Sequence, residues 1–134
     1  SDLPADRSEN IRRIAEVARL MNDAGLIVVT ALISPRRADR AAARQIIGEA
    51  SFVEVHVSTP LAVCEARDPK GFYRQARRGE LAEFSGVSAP YEAPEHADLS
   101  IDTAQLSLAD AVAQLTRLLA RPTTAATAGT MTRD

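Results

Sequence analysis

The segment Leu26-Ile27-Val28-Val29-Thr30-Ala31-Leu32-Ile33 constrains the fold of this chain more than any other. Its apolar character is almost unbroken, which is how a parallel strand covered on both faces reads. Asp6 to Gly25 precedes it as a helix: Asp6 and Glu9 have capping-box spacing, Ile11, Ile14, Ala15, Ala18 and Met21 recur on one face, and Gly25 supplies the stop. The apolar run ends at Ser34-Pro35, and Arg36, Arg37 and Arg40 follow. Alanine-rich Ala38 to Ile47 predicts a second helix, and Phe52 to Val57, with Val53, Val55 and Val57, a second strand. Thr59-Pro60 is placed to cap a third helix ending near Arg67. Leu99 to Asp102 reads as a short strand. Ser107 and Asp110 open a last helix carrying Leu108, Ala111, Val112, Leu115, Leu118 and Leu119. The tail from Pro122, rich in Thr and Ala, is expected to be disordered. Helix and strand alternating over short connections predict an α/β domain with a parallel sheet, whose ligands bind outside the carboxyl ends of the strands.

The stretch from Asp68 to Pro94 breaks this rhythm. It has no strong strand signal and carries Pro69, Gly71, Gly79, Gly86, Pro90 and Pro94 around one short basic helix. An irregular segment of that length inside a compact domain is usually a functional lid or a linker. It holds the only lysine among 16 basic residues, Lys70, followed by Arg74, Arg77 and Arg78. Arginine pairs through a planar fork, whereas lysine is a compact, mobile point charge that suits a phosphate being moved or clamped. Lys70 is therefore a candidate phosphate contact, against the plainer reading of one solvated loop lysine in an arginine-rich chain.

Bulk properties exclude several classes. At 134 residues and 46% apolar, the chain fits one domain with a real core. A net charge of −2 with interleaved signs gives no broad electropositive face for duplex nucleic acid or a membrane surface. No apolar run reaches the roughly 18 residues of a membrane span, and no signal-peptide pattern opens the chain. Ser1-Asp2-Leu3-Pro4 reads as the middle of a protein. The one cysteine, Cys64, fits a reducing cytoplasm and reads as a small buried apolar residue. His56 and His96 lack a second His or Cys at metal-ligand spacing, and no Gly-x-Ser-x-Gly supports a hydrolase triad.

Several segments occur together in one order. They are Asp6-Arg7-Ser8-Glu9-Asn10-Ile11-Arg12-Arg13-Ile14, Ala24-Gly25-Leu26-Ile27-Val28, Ile33-Ser34-Pro35, Thr59-Pro60-Leu61-Ala62-Val63-Cys64-Glu65-Ala66-Arg67-Asp68-Pro69-Lys70-Gly71, Phe84-Ser85-Gly86 and Pro90-Tyr91-Glu92-Ala93-Pro94-Glu95. As a set they resemble adenylylsulfate kinase, a P-loop nucleotide kinase of sulfate activation. The resemblance implies a three-layer α/β P-loop nucleotide kinase fold, with residues 1–121 a partial kinase domain, a lid at about 68–94 and the tail from 122 outside it. It implies transfer of the γ-phosphoryl of ATP, carried with Mg2+, to the ribose 3′-hydroxyl of adenylylsulfate. Carried over by residue, Arg7, Asn10, Ile33, Ser34, Lys70 and Phe84 are expected to bind adenylylsulfate, and Arg67 to lie against the ATP adenine. Lys70 and Ser34 are the candidates for catalytic roles. A cytoplasmic homodimer, alone or with sulfate adenylyltransferase by fusion or association, is also implied.

One departure from that pattern is large. A P-loop kinase needs Gly-x-x-x-x-Gly-Lys-Ser/Thr, whose amides cradle phosphate and whose hydroxyl binds magnesium. This chain has no such motif, and Lys70 precedes Gly71 and then Phe72, so it is not the P-loop lysine. That loop and the magnesium ligands are expected upstream of Ser1, and the 134 residues alone are not expected to catalyse phosphoryl transfer. Arg36 replaces the aromatic or histidine common in the family, Ser58 an aspartate, and Val87-Ser88 an Ile-Asp pair. Another small-molecule P-loop kinase, or a non-catalytic nucleotide-binding module without its P-loop, stays open as an alternative.

Overall fold

A computed structural model describes residues 3–82, 84–85, 90–120 and 128–133. The elements in order are α1 (Pro4–Asp23), β1 (Val28–Ala31), α2 (Arg37–Ile47), β2 (Phe52–Val57), α3 (Leu61–Arg67), α4 (Phe72–Arg77), β3 (Leu99–Ile101), α5 (Leu108–Leu119) and β4 (Ala128–Arg133). The four strands form one sheet in the order β1-β4-β2-β3, and every pairing is parallel. Helices lie on both faces, which gives the three layers expected of the fold class.

On one face, α1 and α2 bury Ile11, Ala15, Ala18, Ala43 and Ile47 against Phe52 of β2, with Val28 and Leu32 packed alongside. On the other, Ala111, Leu115 and Leu118 of α5 cover Val53, Val55, Leu99 and Ile101. The alternation along β2 sorts its side chains between these layers. Each large aliphatic or aromatic side chain so buried contributes about 1.5–3 kcal/mol.

The elements differ from the sequence reading in four places. Helix α1 starts at Pro4 behind Leu3, without a side-chain cap, because Leu3 carries no acceptor; Pro4 only removes one of the N–H groups left open at that end. Glu9 instead accepts hydrogen bonds from Arg12 and Arg13 at 2.7–2.9 Å, and those guanidinium donors lower its carboxyl pKa to about 2. Gly25 does end the helix, at φ +88°, where a left-handed residue returns its N–H to Asn22 at 2.9 Å. Strand β1 is shorter than its apolar run and covered on one face only: Val29 is 61% exposed, since α5 reaches β2 and β3 but not β1. Thr59 is not a helix cap, for Pro60 occupies the N-cap of α3 and Thr59 turns inward. Residues 128–133, placed in a tail expected to be disordered, pair as β4 between β1 and β2. Among the described residues no helix is long and apolar enough to cross a membrane.

Candidate active site

The carboxyl ends of β1, β2 and β3 open into a cavity of about 720 Å3. Ala31 of β1 and the following Leu32 and Ile33 bound it, as do Val57 of β2 with Thr59 beyond it and Ile101 of β3 with Thr103 beyond it, and Leu108, Val112 and Leu115 of α5 form an apolar floor. Arg67, at the end of α3, reaches this cavity in a fixed pose. Its guanidinium donates to Thr103 Oγ1 at 2.7 Å and to the Thr103 carbonyl at 3.0 Å. Thr103 is locked in turn by the buried Thr59, whose Oγ1 lies 2.6 Å from Thr103 Oγ1 and accepts from the Thr103 N–H at 2.9 Å. A flat cation on that mount offers one face for an aromatic ring to stack on.

A second cavity, of about 260 Å3, adjoins the first at Ile33, which lines both. Its other walls are Asp68, Pro69, Lys70, Phe72, Tyr73, Phe84 and Ser85. The turn Asp68-Pro69-Lys70-Gly71 is built by local chemistry. The Asp68 carboxylate accepts the free N–H groups of Tyr73 and Arg74 at 3.0 and 3.2 Å, satisfying the first turn of α4. Gly71 takes the left-handed conformation at φ +68° that closes the turn. Lys70 is thereby set at the cavity rim with its Nζ 5.9 Å from the Phe72 ring centre. Phe84 meets Tyr73 edge-on at 5.0 Å and Phe72 at 6.5 Å. Aromatic edges and one mobile cation suit a flat heterocycle carrying an anionic group.

The sequence candidates therefore divide. Ile33, Lys70 and Phe84 converge on the smaller cavity, and Arg67 stands on the larger. Ser34 is 3% exposed, lines neither cavity, and donates its hydroxyl to the Leu32 carbonyl at 3.4 Å. Arg7 and Asn10 lie on α1, outside both linings. Residues 83 and 86–89, including the Val87-Ser88 departure, fall outside the described residues. Cys64 is buried in the lining of the larger cavity, with its thiol 3.8 Å from the Thr59 carbonyl. Among the described residues no three His, Cys, Asp or Glu side chains come together as metal ligands.

The sequence pattern does not reveal Thr59, which reads there as a helix cap, or Thr103, which it does not single out. It also missed the pair Arg40 and Glu54. Glu54 was the visible signal: a carboxylate in the middle of an otherwise buried strand demands a cation.

Behind the cavities, on the α1–α2 face, Arg40 and Glu54 form a buried ion pair with Nε and Oε2 3.5 Å apart. At the far side of the smaller cavity, Arg77 of α4 holds Glu65 of α3 through two hydrogen bonds at 2.5 and 3.1 Å. These bonds lower the Glu65 carboxyl pKa and raise that of Arg77.

The family profile for adenylylsulphate kinase matches residues 2–102. Curated adenylyl-sulfate kinases from Shewanella amazonensis and Erwinia tasmaniensis are 58% and 59% identical over 110 and 114 residues. Those alignments take in 82% and 85% of this chain but 56% and 54% of the relatives, so the chain spans about half the length of the curated relatives it matches. The structure of the Mycobacterium tuberculosis APS kinase CysC in complex with AMPPNP and APS superposes with a TM-score of 0.81 at 42% identity. The superposition covers 87% of this chain and 68% of that one.

Proposed function

The chain belongs to the adenylylsulphate kinase family, and from that premise we propose that it supplies the acceptor pocket, adenine platform and lid of an enzyme that phosphorylates adenylylsulfate from ATP. One observation carries the reading. Ile33, Lys70 and Phe84, widely separated in sequence, wall a single cavity that shares Ile33 with the cavity of Arg67. Two neighbouring sites, one for each substrate, are what a direct transfer between bound molecules requires.

In this reading the adenine of ATP stacks on Arg67, and adenylylsulfate enters the smaller cavity with its base against Phe84. Lys70 then reaches the charge that spreads over the transferring group, which is where a cation lowers the barrier. Arg7 and Asn10 would complete the acceptor site from α1. Ser34 acts through its main chain, since its buried hydroxyl is already committed. Magnesium would enter with the nucleotide, but the described residues offer it no ligand cluster, so no step is assigned through it. A cytoplasmic enzyme, homodimeric and alone or joined to sulfate adenylyltransferase, belongs to the same proposal.

The test uses the full-length protein. Its reading frame should contain Gly-x-x-x-x-Gly-Lys-Ser/Thr upstream of Ser1, and the purified enzyme should phosphorylate adenylylsulfate in strong preference to other nucleoside acceptors. A frame without that motif, or equal rates with unrelated acceptors, would falsify the assignment.

A further inference from the structure

We propose that Arg40, which touches neither cavity, is the positioning residue that joins the two chain segments flanking the acceptor site. The inference rests on the acceptor reading of the smaller cavity. Arg40 is 3% exposed and its partner Glu54 8%. A buried ion pair is a poor way to gain stability, because desolvation cancels much of the attraction and apolar side chains of similar volume serve as well. What apolar side chains cannot do is donate in three directions at once.

Arg40 uses all three. Its Nε faces Glu54, one terminal nitrogen donates to the Ser34 carbonyl at 2.5 Å, and the other donates to the Glu92 carbonyl. The Tyr91 ring covers the guanidinium at 5.7 Å and stacks on His56 of β2. Ser34 sits at φ +37°, a left-handed conformation that a residue with a Cβ adopts only when its surroundings hold it there. The bond from Arg40 to its carbonyl is such a hold.

The two segments so joined bracket the cavity. Ile33, immediately before Ser34, is one of its walls. Glu92 lies on the far side of the irregular segment that supplies Phe84 and Ser85. Outer bonds repeat the connection: the Glu92 N–H donates to the Pro35 carbonyl, and the Arg37 N–H to the Glu92 carboxylate, both at 2.8 Å. Arg37 Nε donates to the Ala93 carbonyl, also at 2.8 Å. The downstream end of the lid is therefore anchored to the β1 end, with Arg40 at the hub.

Arg40→Lys in the full-length protein separates this role from a merely structural one. Lysine keeps the charge opposite Glu54, but its single nitrogen cannot stand in the three separate places from which the guanidinium nitrogens reach Glu54, Ser34 and Glu92. Loss of about one charge-assisted bond predicts roughly tenfold faster amide exchange at Glu92 and Arg37, and a KM for adenylylsulfate raised about tenfold with that for ATP within about twofold. Arg44→Lys, a partly exposed neighbour paired with Glu49 and Asp98, is the control and should leave both readings unchanged. If Arg40→Lys does not fold, Arg37→Ala, on the exposed side, must raise the same KM about threefold. A lower melting temperature with an unchanged acceptor KM overturns the proposal. A wild-type enzyme that does not bind adenylylsulfate overturns the acceptor reading first, and the positioning role with it.

Discussion

The two sides of the smaller cavity are held by opposite means. Behind Ile33, the wall rests on a buried hub in which Arg40, Glu54, Tyr91 and the Ser34 carbonyl meet. Across from it, Phe72 and Tyr73 ride on α4 with Lys70 in the turn before it, and α4 is tied to α3 by the water-exposed pair of Arg77 and Glu65 and held at its start by Asp68. Buried networks lose heavily when one member is removed, whereas exposed pairs are screened and cheap to break. The difference teaches which side is built to stay and which to move. In the proposed reading the α4 side is the part free to open, while the downstream end at Tyr91 and Glu92 stays fixed on the buried Arg40.

The sharpest way to break the comparison is at the hub. Arg40→Met strands the Glu54 carboxylate without its cation, and a loss of about 3–5 kcal/mol is expected in chemical denaturation. A loss below about 1 kcal/mol would show that water reaches the hub and that the two sides do not differ.

Burial alone is not what makes the hub costly, and Asn22 sharpens this point. It is 8% exposed on α1, and its amide nitrogen and oxygen find no hydrogen-bond partner among the described residues. Asn22→Val replaces an unsatisfied polar group with an apolar one, and a gain of about 1 kcal/mol is expected. Destabilisation of similar size would mean that Asn22 has a partner that these contacts do not reveal.

The smallest effect belongs to the Arg77–Glu65 pair. Arg77→Ala should lower the melting temperature by no more than about 2 °C near neutral pH. The pair also carries a pH signature. Because Arg77 lowers the Glu65 carboxyl below its usual 4.5, the stabilisation is full above that value and fades as pH falls through the lowered one. Wild type and Arg77→Ala should therefore converge in melting temperature in acid. A difference that persists there would assign the effect to packing.

Much of this was legible in the sequence because local chemistry decides it. The periodic apolar positions of α1 and α5, the stop at Gly25 and the Ser107 cap, which accepts from the Asp110 N–H at 3.1 Å, are all set by near neighbours. The turn around Lys70 is of the same kind. Three features were not legible. Strand β4 pairs with segments far away in the chain, and Ala-Gly-Thr-Met-Thr-Arg carries no apolar run to announce it. Thr59-Pro60 looks like a helix cap, yet only the presence of Thr103 across the gap decides where Thr59 turns. Glu54 in its strand announces the need for a cation, but only the fold selects Arg40, out of the chain's arginines, as that cation. Distance along the chain, more than ambiguity of residue type, is what hid them.

The central claim is that the smaller cavity receives the phosphoryl acceptor and that Lys70 acts on it. Lys70→Ala in the full-length enzyme tests this most directly, with kcat/KM for adenylylsulfate and melting temperature measured on the same preparation. Loss of one contact to a charged group predicts a fall of about 100-fold in kcat/KM, while an exposed side chain leaves the melting temperature within about 1 °C. Unchanged kinetics, or a loss of activity matched by a loss of stability, would contradict it.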